Sequence, residues 1–145
     1  MKADVSTGEE QRVIDAARGF VATHVWPNVR AWVLPEAARA GLLGLEVPDE
    51  HGGRGLSFGC KQRVAELLAA ADFGLAMSLI NTHNVANHLA RVAAPEIARR
   101  YVPALLSGRR TGCTALTEAG AGSDFSAIAT VARRFGDEWQ IDGQK

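Results

Sequence analysis

The chain has 145 residues, 47% of them hydrophobic, and its 16 Lys plus Arg are balanced by 16 Asp plus Glu for a formal net charge of 0. That length supports a real hydrophobic core, and the charge balance excludes a global basic field that would draw in nucleic acid or an anionic membrane. No apolar run reaches the roughly 18 residues of a membrane span, the acidic polar start is unlike a signal or transit peptide, and a cytoplasmic protein is expected.

In chain order, Ser6 with Glu9 or Thr7 with Glu10 fits a capping box, which predicts a helix beginning near Gly8. Val13, Ala16, Ala17, Phe20, Val21 and His24 then share one face, and Pro27 stops the run. His24 reads as a capping or packing residue. The stretch 29–34 is ambiguous, and Pro35 opens a short helix through Ala40 that Gly41 can cap. Leu42 to Pro48 reads as apolar and extended, running into a glycine-rich reversal from Asp49 to Leu56. His51 in that reversal has carboxylates beside it but no adjacent serine or cysteine nucleophile, so a solvated turn histidine is expected.

Ser57 caps the next helix, with Val64, Leu67, Leu68 and Ala71 on its apolar face and Lys61, Arg63 and Glu66 around the other. From Phe73 to Val92 the chain is apolar enough to be buried by other helices. Its polar insertions Ser78, Asn81, Thr82, His83, Asn84, Asn87 and His88 then need partners or line a ligand cavity. His83 and His88 stand five apart and share no helix face, so no metal site is expected. Cys60 and Cys113 lie outside any metal or redox spacing and read as buried free thiols. Pro95 opens a further helix, Pro103 restarts it and Gly108 ends it.

Beyond Gly108 the period changes. Thr111 to Glu118, the segment alternating around Ala129, Val131 and Phe135, and the segment around Trp139 and Ile141 suggest three short strands, with a turn at Gly136-Asp137. Asp142-Gly143 is a strong hairpin signal followed only by Gln144 and Lys145, which leads to the expectation that the chain is a fragment of a larger protein. Between the first two segments, Thr114 to Asp124 joins an apolar run to a loop in which Gly120 and Gly122 permit positive φ and close approach of backbone N–H groups to a bound group. A plain connection between strands is the other reading.

Four segments carry a resemblance. Leu116-Thr117-Glu118-Ala119-Gly120-Ala121-Gly122-Ser123-Asp124 resembles the T-E-P-x-x-G-S-D signature of the acyl-CoA dehydrogenase flavoenzymes. The stretch from Ala40 to Leu56, the helix Tyr101 to Gly108 and the stretch Trp139 to Lys145 are similar to three further motifs of that family, in the same order. The resemblance implies a mainly α chain: an N-terminal helical domain over residues 1–109, followed by the first strands of an incomplete β-barrel domain over 110–145. It implies FAD as cofactor, an acyl-CoA thioester as substrate, α,β-dehydrogenation as the reaction and a homo-oligomeric complete protein. The catalytic glutamate of the family comes from a C-terminal bundle, so no catalytic residue is assigned in this chain, and Glu118 is not that base. By resemblance Thr114, Leu116, Thr117, Gly122 and Ser123 meet the flavin, and Ser123 also meets the acyl-CoA. Two departures stand out: Thr114 replaces a frequent aromatic residue, and Ala119 replaces the usual proline. Other readings are a non-catalytic remnant or partner chain of the same fold, and a flavin-dependent hydroxylase on the same scaffold.

Overall fold

A computed structural model describes residues 7–25 and 33–145. The described residues divide into two compact units, one ending at Cys113 and the other running from Thr114 to Lys145. The first holds five α-helices: α1 (Gly8–Phe20), α2 (Val33–Arg39), α3 (Phe58–Ala71), α4 (Phe73–Val92) and α5 (Pro95–Leu106).

Helix α1 starts at the Thr7–Glu10 capping box. Glu10 has a second task, because its carboxylate also accepts from the backbone N–H and hydroxyl of Ser57, the N-cap of α3. Those hydrogen bonds, led by the Ser57 hydroxyl, hold its pKa below the ordinary 4.5. One carboxylate thus ties the first turns of two helices together. Val13, Ala17 and Phe20 are buried as their spacing requires, and Ile14 joins them. After Phe20 the helix widens into a π-turn over Val21–Val25. Pro27, and 29–32 of the ambiguous stretch, lie outside the described residues, as does the side chain of His24.

Helix α2 ends in paired bonds from Leu42 N–H to the Ala37 carbonyl (2.9 Å) and from Gly41 N–H to the Ala38 carbonyl (2.9 Å), the pattern that closes a helix through a glycine. The expected extended segment from Leu42 to Pro48 is instead a series of bends, because Gly44 takes φ +74. Leu42, Leu43, Leu45 and Val47 are nonetheless all buried. The returning limb pairs with this segment through Arg54 N–H to the Gly44 carbonyl (3.0 Å), Gly55 N–H to Val47 (2.9 Å) and Leu56 N–H to Leu45 (2.7 Å).

The core has two parts. Val13, Phe20, Ala37, Leu45, Val64, Leu68 and Leu79 belong to the larger, and Val47, Ala86, Ala98, Val102 and Leu105 form the smaller between α4 and α5. Helix α4 is not apolar on all sides in its packing: Phe73, Met77 and Val92 are exposed, and only one face is buried. Pro103 does not restart α5, which runs unbroken past it. The proline removes only the bond to the carbonyl of Arg99, an exposed residue, while Val102 and Leu105 hold the last turn onto the core. Cys60 is buried, with its thiol pKa pushed up by that burial, but Cys113 is exposed, contrary to expectation.

The second unit carries two antiparallel strands, β1 (Val131–Phe135) and β2 (Glu138–Asp142), in register from Val131 opposite Asp142 to Phe135 opposite Glu138. Gly136 takes φ +60 at the first central position of the turn, as a type II′ hairpin requires. The expected first strand is absent: among the described residues the segment from Thr111 to Thr117 pairs with no other, and only an isolated bridge joins Glu118 to Ala121. Without a neighbouring ladder its threonines and small apolar residues have nothing to pair with, and Gly112 N–H bonds the Thr82 hydroxyl instead (3.1 Å).

Candidate functional site

The second unit is organised around Glu118. Its carboxylate accepts from the backbone N–H groups of Ala129 (2.7 Å) and Thr130 (3.0 Å), from the Thr130 hydroxyl and from Lys145 Nζ (2.9 Å), and its side chain is 9% exposed. Hydrogen bonding from Thr130 first, then from Ala129 and Lys145, brings its pKa down to about 2. A carboxylate so held is ionised at neutral pH and poorly placed to take a proton. Lys145 Nζ also reaches the Leu116 carbonyl (3.1 Å), so one ammonium binds both sides of the segment that precedes the turn.

Reciprocal backbone bonds between Glu118 and Ala121 (2.9 and 3.1 Å) close a tight turn with Ala119 and Gly120 at its tip. Three residues on, Asp124 Oδ1 accepts from the backbone N–H (3.0 Å) and hydroxyl (2.6 Å) of Ser126 and caps the short 3-10 turn Phe125–Ala127. The loop is therefore anchored at both ends. Thr114, Leu116, Thr117, Gly122 and Ser123 are all exposed between or beside these anchors. Among the described residues no group accepts from the backbone N–H groups of 114–117, and neither the Thr117 nor the Ser123 hydroxyl has a hydrogen-bond partner. Neither Gly120 nor Gly122 takes positive φ, which corrects the expectation drawn from their spacing. The turn is closed by Glu118 and Ala121, and an added Cβ at either glycine meets nothing within 4 Å.

A second polar cluster lies in the helical unit. Glu46 pairs with Lys61, and with His83 Nε2 at 3.2 Å, while Lys61 Nζ also reaches Asn84 Oδ1 (3.3 Å). The alternation along α3 placed Lys61 on the solvent face, yet its side chain is only 11% exposed because Glu46 draws it down. Burial alone raises the Glu46 pKa, but its bonds to Lys61 and His83 outweigh that and leave it below 4.5. Burial dominates at His83, which is 2% exposed, and lowers its pKa from 6.5 against the opposing pull of Glu46. Of the polar insertions in α4, Thr82 and His83 are the buried ones, the first accepting from Gly112 N–H and the second paired with Glu46.

The sign of the His83 effect follows. A ring that stays neutral in the fold but accepts a proton when unfolded stabilises the fold fully above pH 6.5, and that advantage is lost as pH falls below it. Urea unfolding between pH 7 and 5 is expected to show falling stability, with at most about 1.4 kcal/mol per pH unit from this one site. His83→Gln should flatten the curve, and an unchanged slope in that variant rejects the role of the ring.

A family model described as "Acyl-CoA dehydrogenase, N-terminal domain" matches residues 7–109. The chain belongs to the acyl-CoA dehydrogenase family. It is 38% identical over 116 residues to the acyl-CoA dehydrogenase IpdE1 of Mycobacterium tuberculosis, a match covering 80% of this chain and 30% of that protein. It is 36% identical over 138 residues to the human short-chain specific acyl-CoA dehydrogenase, mitochondrial, covering 94% and 32% respectively. A crystal structure of an acyl-CoA dehydrogenase complexed with FAD from Bacillus anthracis matches with a TM-score of 0.82 at 25% identity, over 99% of this chain and 27% of that one. The chain spans about a third of the length of these curated relatives. Its helical unit with the start of a β unit agrees with the mainly α reading. Among the described residues no helix is long and apolar enough to cross a membrane.

Proposed function

We propose that the chain supplies the N-terminal portion of an FAD-dependent acyl-CoA dehydrogenase that introduces an α,β double bond into an acyl-CoA thioester. The observation that carries this reading is the segment from Thr114 to Asp124, clamped at Glu118 and Asp124, with unpaired donors before the first clamp and at Ser123. The unpaired backbone N–H groups of 114–117 and the Thr117 hydroxyl supply donors suited to the pyrimidine edge of a flavin. Donors there favour the ring when it is electron-rich. Gly122, bare of side chain, allows close approach, and the Ser123 hydroxyl is free to bond the thioester-bearing substrate. The chemistry that a bound FAD would supply here is an acceptor for the hydride equivalent of the substrate β-carbon.

By resemblance to the family, the base that takes the α-proton is assigned to a C-terminal bundle rather than to Glu118, whose carboxylate is taken up as a clamp. The chain by itself is accordingly expected not to oxidise butyryl- or octanoyl-CoA with an electron-acceptor dye, and measurable turnover overturns the assignment. In a form extended by the rest of the flavin site, Thr117→Val should weaken flavin retention by about 1 kcal/mol, roughly fivefold, the worth of one ordinary hydrogen bond. Equal flavin occupancy in variant and wild type by absorbance would remove Thr117 from the site. Homology to dehydrogenases at 36–38% identity favours this chemistry over a hydroxylase on the same scaffold. A cytoplasmic setting and a homo-oligomeric complete protein belong to the same proposal.

A further inference from the structure

The charge balance of the whole chain hides a local excess at the end of α5. Arg99, Arg100, Arg109 and Arg110 fall in a stretch with no acidic residue between Glu96 and Glu118. Three of these arginines converge on a hollow of about 250 Å³ lined by Arg100, Tyr101, Ala104, Arg109 and Arg110. The guanidinium carbons of Arg100 and Arg110 lie 5.2 and 5.9 Å from the centre of the same Tyr101 ring, within cation–π range. Among the described residues no carboxylate pairs with Arg100, Arg109 or Arg110.

Arginines at a helix C-terminus often serve the last carbonyls, and here that task is taken. Ser107 N–H bonds the Pro103 carbonyl, Gly108 N–H that of Leu105, and Arg110 N–H that of Ala104, all at 3.1 Å. The side chains of Arg100 and Arg110 make no hydrogen bond among the described residues, and Arg109 uses only its Nε, on the Ser107 hydroxyl at 3.0 Å. Each guanidinium carries five donors in a planar fork that matches phosphate oxygens two at a time. The Tyr101 hydroxyl, also without a partner among the described residues, adds a further donor.

We propose that this hollow is an anion site for a phosphate-bearing small molecule, at the scale of a phosphate monoester or a diphosphate group. Three unneutralised cations suit a multiply charged anion better than a single carboxylate. A long polyanion is disfavoured because Glu96 ends the positive patch one helical turn before Arg100 and repels an extended chain. The inference is independent of the flavin reading.

Isothermal titration of the full chain with inorganic pyrophosphate at low ionic strength tests it. Saturable one-to-one binding is expected, weakened tenfold or more in the Arg100→Ala/Arg110→Ala double variant and left intact in Arg12→Ala, an exposed arginine on α1. Arg110→Lys, which keeps the charge and loses the fork, should fall between them. Circular dichroism melts establish that the variants fold, as expected for exposed side chains. No saturable heat, or equal affinity in the double variant, overturns the proposal. Vesicles containing phosphatidic acid distinguish a lipid headgroup from a soluble phosphate, and binding to vesicles or polyglutamate without binding to pyrophosphate also overturns it.

Discussion

Gly53→Ala is expected to destabilise the helical unit by about 3 kcal/mol, at the upper end of overpacking, and to lower its melting temperature by roughly 10 °C or more. A Cβ on Gly53 would stand 2.0 Å from the carbonyl oxygen of Val47 and 2.5 Å from its Cβ. Val47 is fully buried in the smaller core, and its carbonyl is already bonded to Gly55 N–H, so neither partner has room to yield. Relief requires separating the limbs that run from Gly44 to Val47 and from Gly53 to Leu56, which uncovers Leu45 as well. Gly120→Ala serves as the contrast, because a Cβ there meets nothing within 4 Å and the backbone is not at positive φ. It should change stability by no more than about 0.5 kcal/mol. Equal melting curves for Gly53→Ala and wild type would show that the two limbs are not paired as described.

The second large effect is expected at Glu118. Its replacement by alanine strands the N–H groups of Ala129 and Thr130 and frees Lys145 from the turn. Two five-residue strands with every residue exposed have little burial to hold them, and an isolated hairpin of that kind is marginal in water. Amide exchange of the strand residues 131–142 should therefore quicken roughly tenfold or more in Glu118→Ala, a loss equivalent to one or more hydrogen bonds. Protection equal to wild type would mean that the hairpin stands without its clamp. The pH dependence has a defined direction. A carboxylate at about 2 in the fold against 4.5 when free stabilises fully above pH 4.5, and its contribution is lost as pH falls from there toward 2. Glu118→Gln keeps an acceptor oxygen and should abolish that dependence while retaining part of the protection at neutral pH.

The helical unit was legible because its signals are local. Thr7 with Glu10, Ser57 and the glycine after Ala40 work through neighbours within a few residues, so caps and helices stand where their residues put them. Two of the readings that failed depended on a partner distant in the chain, while those at Pro103, Gly44, Gly120 and Gly122 failed on local backbone conformation. Lys61 looked solvent-facing by its position on α3, but Glu46 lies 15 residues earlier on a buried loop. Thr111 to Glu118 has strand composition and no paired neighbour among the described residues, so composition had nothing to act on. In the candidate loop, the residues named from the sequence are the exposed ones. The groups that hold them, Thr130 and Lys145, are 12 and 27 residues from Glu118 and carry no periodic signal.

What the sequence determined by itself is the order of the helices, their ends and the family, because caps, apolar spacing and ordered motifs are written in short stretches of chain. The tertiary structure decided how charge is distributed and which polar groups are spent. It turned Glu118 and Glu46 from free carboxylates into clamps, while among the described residues Thr117, Ser123, Arg100 and Arg110 kept their side-chain donors unpaired. The physical reason is that whether a side chain is a tether or an available donor depends on who reaches it through space. That geometry is set only when the limbs of the chain have packed.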